Sequence, residues 1–123
     1  MRYTIEKHER YVVIEPLVSF LDGLAAAKLK NEFMLRSASG QRNIVLDLDK
    51  VEDMTEEGMR MGLLAHRLCQ SEEGLFIIIG LKPQVEHLLK VAKLDKYFTI
   101  VKRLKDAEDL IFSNEIQHDL IGK

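Results

Sequence analysis

The spacing of apolar and polar side chains changes several times along the chain, and each change predicts an element. Tyr3-Thr4-Ile5-Glu6-Lys7 alternates with the two-residue period of a half-buried strand. His8-Glu9-Arg10 reads as a tight polar turn, and the β-branched Tyr11–Glu15 (YVVIE) as the returning strand of a hairpin. Pro16 lacks a backbone donor and is expected to stop that pairing. The period then lengthens to that of a helix. Asp22 is a candidate N-cap, and a first helix is expected to run to about Arg36. Ala25, Ala26, Leu29 and Phe33 fall on one face of it, and Glu32 and Arg36 form an i,i+4 pair. Ser37-Ala38-Ser39-Gly40 reads as its stop.

Two nearly continuous apolar runs follow, Asn43–Leu48 and Leu75–Gly80, as in strands covered on both faces. A helix from about Glu57 to Gln70 lies between them, and strand, helix, strand at this spacing is a crossover that sets the two strands parallel. Pro83 suits a first helical position, with Val85, Leu88, Leu89 and Ala92 as the apolar face behind it. Phe98–Val101 is a last short strand. Asp106–Phe112 is a final helix with Ala107, Leu110 and Ile111 inward, followed by a fraying tail, 113–123. The expected fold class is α/β: a mixed sheet of about five strands with an N-terminal antiparallel hairpin, parallel βα crossovers and about four helices. A length of 123 residues suits one domain with its own core.

Charge and composition narrow the function mainly by exclusion. Eighteen Lys and Arg stand against twenty Asp and Glu with no like-charge block, so nothing points to a nucleic-acid surface or a polybasic membrane anchor. The apolar runs are far shorter than the roughly 20 residues of a membrane span, and the first residues lack the apolar stretch of a signal peptide. A cytoplasmic protein without direct membrane insertion is expected. The four histidines (His8, His66, His87, His118) have no partners at metal-ligand spacing, and Cys69 falls on the inward side of its helix, so no metal is expected. Neither nucleotide-binding glycine motif occurs, and no cofactor is expected. Asp47, Asp49 and Asp53 suggest a phospho-receiver pocket, but the opening hairpin lacks the acidic pair that such a pocket uses.

The informative stretch runs from Val51 to Leu64, directly after a buried strand and into a helix: Val51-Glu52-Asp53-Met54-Thr55-Glu56-Glu57-Gly58-Met59-Arg60-Met61-Gly62-Leu63-Leu64. Here the chain resembles the STAS family, the anti-sigma factor antagonist domains. Their signature is a strand ending L-D-L-x-x-V, an apolar residue, D-S-S-G or a near variant, and a helix. Gly80-Leu81-Lys82-Pro83-Gln84-Val85 and Leu94-Asp95-Lys96-Tyr97-Phe98 look like that family's G-x-x-P-x-V and G-L-D-K-x-F passages. The resemblance spans about residues 3–112. It is looser at the opening, where the family's G-x-[LI]-D appears as Pro16-Leu17-Val18-Ser19.

The resemblance implies a non-enzymatic regulator that binds an anti-sigma factor which is also a Ser/Thr kinase. That kinase modifies a hydroxyl at the D-S-S-G turn and so breaks the complex. Aligned on Gly58, this chain has Thr55 at the Asp position and Glu56 and Glu57 on the two Ser positions. Glu56 thus occupies the phosphoacceptor-equivalent position and has no hydroxyl, while Thr55 is an adjacent alternative acceptor. Both carboxylates would sit where a helix dipole favours negative charge. On the helical wheel Gly58, Met61, Leu64, Ala65 and Leu68 should face the sheet. Met59, Leu63, His66 and Gln70 should lie on the opposite, exposed side, flanked by Arg67. Gly58 and Gly62 would permit a close approach, at a cost in helix propensity. The expected partner-binding residues are therefore Thr55, Glu56, Glu57, Met59, Arg60, Leu63, His66 and Arg67. The alternatives are a STAS-like accessory subunit of a lipid or anion transporter, and the phospho-receiver. Oligomeric state, homodimer included, is left open.

Overall fold

The computed structural model of the chain describes residues 1–121. Strands β1 (Tyr3–Lys7) and β2 (Val12–Pro16) pair antiparallel with Ile5 opposite Ile14. Contrary to expectation, Pro16 does not stop this pairing but closes it opposite Tyr3. The Leu17 N–H donates to the Arg2 carbonyl just beyond, at 2.8 Å. Successive N–H groups of a strand point to alternate sides, so the one missing from Pro16 would face the neighbouring strand Ile44–Asp47, whose ladder with β2 has already ended at Ile14.

Five strands form the main sheet in the order β1-β2-β4-β6-β7, with β4 (Ile44–Asp47) at its centre, then β6 (Phe76–Ile79) and β7 (Thr99–Ile100). All pairs beyond the first are parallel, as the crossover pattern predicts. Four helices accompany it: α1 (Gly23–Ala38), α2 (Glu56–Ser71), α3 (Pro83–Val91) and α4 (Leu104–Ile121). A two-stranded parallel ladder, β3 (Phe20–Leu21) with β5 (Asp53–Met54), and a 3-10 turn at Asp95–Tyr97 have no counterpart in the sequence pattern. Segments of two or three residues carry no readable period.

Alternation along the strands splits the core in two. Val12, Ile14, Ile44, Leu46, Phe76 and Ile78 face Leu29, Phe33, Met61, Ala65, Val85 and Leu89 of α1, α2 and α3. Tyr11, Val13, Val45, Ile77 and Ile79 face the other way, onto Ala107 and Ile111 of α4. On α1 the Asp22 carboxylate accepts from Ala25 N at 3.0 Å, and Ala25, Ala26, Leu29 and Phe33 are buried, as predicted. Glu32 is buried too, paired with Arg36 at 2.9 Å and accepting from the Tyr3 hydroxyl at 2.9 Å.

α4 differs most from expectation. It does not end at Phe112 with a frayed tail behind it but continues to Ile121. A buried carboxylate explains the extension: Glu115 accepts from Arg42 Nε at 2.9 Å and from Arg10 Nη1 at 3.3 Å, which ties the second half of the helix to the sheet. Ala107, Ile111 and Glu115, four residues apart, define the inward stripe. Leu110 falls outside that stripe and is 40% exposed, contrary to its expected inward place. No helix among the described residues is long and apolar enough to cross a membrane.

Candidate functional site

The start of α2 is held by backbone bonds to the loop between β2 and α1. Glu52 N and Asp53 N both donate to the Ser19 carbonyl, at 2.7 and 3.1 Å, and Thr55 N donates to the Leu21 carbonyl at 3.0 Å. The Thr55 hydroxyl accepts from Gly58 N at 3.1 Å and caps the helix. Gly58 is buried against β3, and a methyl group there would collide with the Leu21 carbonyl oxygen. A residue with no side chain is what lets the first turn of α2 rest on that loop. One turn on, Gly62 lies under two rings, where a Cβ would come within 3.0 Å of Phe98 and 3.2 Å of Phe76. Both expected close approaches are therefore present.

This packing brings two helix N-termini together. Glu57 Oε2 lies 3.5 Å from the position a Cβ on Gly23, the first residue of α1, would occupy. Glu57 therefore sits near the positive ends of both α1 and α2. Glu56 and Glu57 are exposed, and among the described residues neither makes an ion pair or a side-chain hydrogen bond. Thr55 is half-buried, its oxygen already engaged by the cap.

Further along α2, Arg60 and Arg67 are exposed and His66 is half-buried. With Leu63 they line a groove of about 330 Å³, whose other residues are Leu94 and Tyr97 at the 3-10 turn. Met59 and Leu63 are a correction. Expected as exposed hydrophobes, they are half-buried and pack against the main core. α2 packs on α1 as well as on the sheet, so its covered arc is wider than the stripe read from the wheel. Leu64 and Leu68, placed toward the sheet, are only half-buried.

The exposed apolar surface near the acidic turn comes instead from the loop and the start of α1. Phe20, opposite Asp53 in the small ladder, is 49% exposed, and Leu24 is 80% exposed. Neither reads as functional from the sequence, because only the β3–β5 ladder and the approach of Gly23 to Glu57 place them at this end of the molecule. For Phe20 the one available signal is the apolar pair Phe20-Leu21 directly before the N-cap Asp22, and Leu24, which follows the cap, carries none.

The remaining chemical candidates do not converge. Asp47, half-buried at the end of β4, accepts from Asp49 N at 3.0 Å; burial is the main cause holding its carboxyl above the usual range. Asp53 lies on the separate ladder, exposed, and accepts from Met54 N at 2.9 Å. Asp49 contributes its carbonyl to the Lys82 ammonium. His8 stacks on Tyr11 and pairs with Glu6, His118 meets Arg42 Nη1 at 2.7 Å, and His87 is exposed. Among the described residues no three His, Cys, Asp or Glu side chains are placed to hold a metal ion. Cys69 is buried, and burial pushes its thiol up to about 12, which leaves it unreactive near neutral pH.

Comparison with known proteins gives this geometry a family. BtrV of Bordetella bronchiseptica, a candidate anti-sigma factor antagonist, is 24% identical over 100 residues, spanning 81% of this chain and 85% of its own. The unphosphorylated form of the anti-sigma factor antagonist SpoIIAA superposes with a TM-score of 0.77 at 18% identity, covering 91% of this chain and 97% of its own. A serine-to-glutamate form of RsbS from Moorella thermoacetica superposes with a TM-score of 0.74 at 24% identity, covering 92% and 97%. The profile of the STAS domain matches residues 2–107, so the hairpin-led sheet and the helix with the acidic start are those of a STAS domain, and the chain belongs to that family of anti-sigma factor antagonist-like proteins.

Proposed function

We propose that this chain is a single regulatory docking domain of the cytoplasm. In this reading it captures an anti-sigma factor or related Ser/Thr kinase-like protein through the turn and helix at 54–67, with no catalysis of its own. The slot at which relatives carry a modifiable hydroxyl is permanently anionic here. The observation that carries this is the pair of exposed, unpartnered carboxylates, Glu56 and Glu57, at the meeting of two helix N-termini. A carboxylate offers about one negative charge where a phosphoserine would offer roughly 1.5 to 2, on the same positive helix end. The RsbS relative solved with glutamate in place of a serine supports the reading, since a similar fold there accommodates a serine-to-glutamate exchange. Thr55 is a poor substitute acceptor, because its half-buried hydroxyl is engaged by Gly58 N in capping α2 and would have to leave that bond to reach a kinase. Glu56 and Glu57 set the charge of the contact, Arg60, His66 and Arg67 extend it along α2, and Phe20 and Leu24 add apolar area.

The test uses the purified kinase-like anti-sigma protein of the same organism. Incubated with it and ATP, the wild type keeps its mass, whereas Glu56→Ser gains about 80 Da, one phosphoryl group. Binding measured calorimetrically falls for Arg60→Glu and Leu24→Asp, both at exposed positions. Met59→Asp and Leu63→Asp are unsuitable tests, since both side chains help cover the core. A phosphoryl group on wild-type Thr55, or binding untouched by either exposed substitution, overturns the reading. Co-purification with a transport ATPase subunit would replace the kinase-like partner by a transporter.

A further inference from the structure

Behind the acidic start of α2 the same helix carries a surface of opposite sign. Arg60 and Arg67 stand at i and i+7, on one face and about 10 Å apart along the axis at 1.5 Å per residue. With Leu63 and His66 they line the groove whose far side is Leu94 and Tyr97. Leu94 is buried and Leu63 half-buried, so the groove is apolar at its base. Tyr97 is 48% exposed, and Lys96 Nζ lies 5.4 Å from its ring centre, which adds positive charge to that side.

Arg10, Arg36, Arg42 and Arg103 each have a carboxylate within 4 Å. Among the described residues Arg60 and Arg67 have none and no side-chain hydrogen bond either; Arg2 at the start of the chain also lacks one, but only Arg60 and Arg67 line a common groove. On a chain of net charge −2, two guanidinium groups over an apolar base with no ion-paired carboxylate among the described residues leave positive charge free to meet a partner, with Glu56 one turn before Arg60 as the nearest acid on the same helix.

We propose that this groove receives an acidic helical segment of the partner protein. Its carboxylates, seven residues apart, would meet Arg60 and Arg67, and a leucine or phenylalanine midway between them would lie over Leu63 and Leu94. Arginine presents a planar fork that pairs a carboxylate bidentately, so two arginines fix register as well as charge. A helix laid along α2 keeps two residues seven apart at the spacing of the arginines themselves, and amphipathic helices dock in grooves through this periodicity. The inference rests on the reading of α2 as a docking helix and adds the chemistry of what it meets.

The probe is a synthetic alanine-rich peptide with two glutamates seven residues apart and leucine midway, fluorescently labelled and titrated with the full chain. The expected result is saturable binding that weakens at least about tenfold in the double variant Arg60→Glu/Arg67→Glu, the equivalent of two partly exposed ion pairs. Amide shifts should concentrate at Leu63, His66, Leu94 and Tyr97, and Lys105→Gln/Asp109→Asn, a pair of exposed side chains on α4 across the sheet, should leave the affinity within about twofold. Absence of saturation, equal binding of the same peptide with lysines for glutamates, or of a version broken by a central proline, overturns the proposal. So does self-association of the chain that Arg60→Glu/Arg67→Glu abolishes, which would make a second copy the occupant. Neither the kinase nor ATP takes part in this titration, so its failure and a failure of the phosphorylation assay are separately visible.

Discussion

At Gly58 a hydrogen in place of a side chain decides where a helix begins. The Leu21 carbonyl oxygen lies where a methyl group would go, and it belongs to backbone that already accepts from Thr55 N, so it cannot easily move aside. Gly58→Ala is expected to lower stability by about 1–3 kcal/mol despite the better helix propensity of alanine, read as a lower urea midpoint. Thr55→Ala removes a cap and should cost about 1 kcal/mol in the same measurement, while Thr55→Ser should retain most of it. Gly58 was legible as the motif glycine, and Gly58 and Gly62 alike as sites of close approach. What each one touches was not, because Leu21, Phe76 and Phe98 are distant in sequence.

At the level of elements, α1, α2 and α3 could be read from period and caps to within two or three residues at either end. Each buries an apolar stripe against the sheet, and a stripe is what sequence periodicity reports. The second half of α4 lacks such a stripe and is held by charge instead. Burial by itself would raise the Glu115 carboxyl, but hydrogen bonds and charge from Arg42, with contributions from Asn43 and Arg10, more than offset it and leave the group below its usual range. The unfolded chain therefore binds this proton more tightly than the folded one. The resulting stabilisation is complete above the ordinary carboxylate range and is lost as pH falls through the depressed folded value. Glu115→Gln should lower stability at neutral pH by about 1–3 kcal/mol, as expected for hydrogen bonds to a charged group. It should also flatten the acid limb of the stability–pH curve; an unchanged limb would show that another carboxylate governs it.

Across the whole molecule the sheet is covered unequally, with three helices on one face and α4 on the other. Removing residues 113–123 takes away Glu115 and leaves Arg10 and Arg42 without that carboxylate. Such a truncation is expected to lower the thermal midpoint by about 5–10 °C, measured by circular dichroism, given that a few kcal/mol shift a domain of this size by that much. If the tail were merely frayed, the midpoint would not move. The candidate site is likewise a whole-molecule property. Thr55, Glu56, Glu57, Arg60, His66 and Arg67 come from one continuous segment, but Phe20, Leu24 and Tyr97 reach the same region only because the fold brings two other segments there.

Amphipathic period, caps and motif spacing determined by themselves the order of elements, the parallel crossovers, the family resemblance and the acidic occupant of the α2 turn. These are local quantities, set by neighbours within about two helical turns. Tertiary structure alone decided how deeply Met59 and Leu63 are covered, that α4 runs past Phe112, that Phe20 and Leu24 stand beside the acidic turn, and that Arg60 and Arg67 have no paired carboxylate among the described residues. Burial and ion pairing depend on which distant segments meet, and pairwise meeting in space leaves no period in the sequence for a local reading to detect.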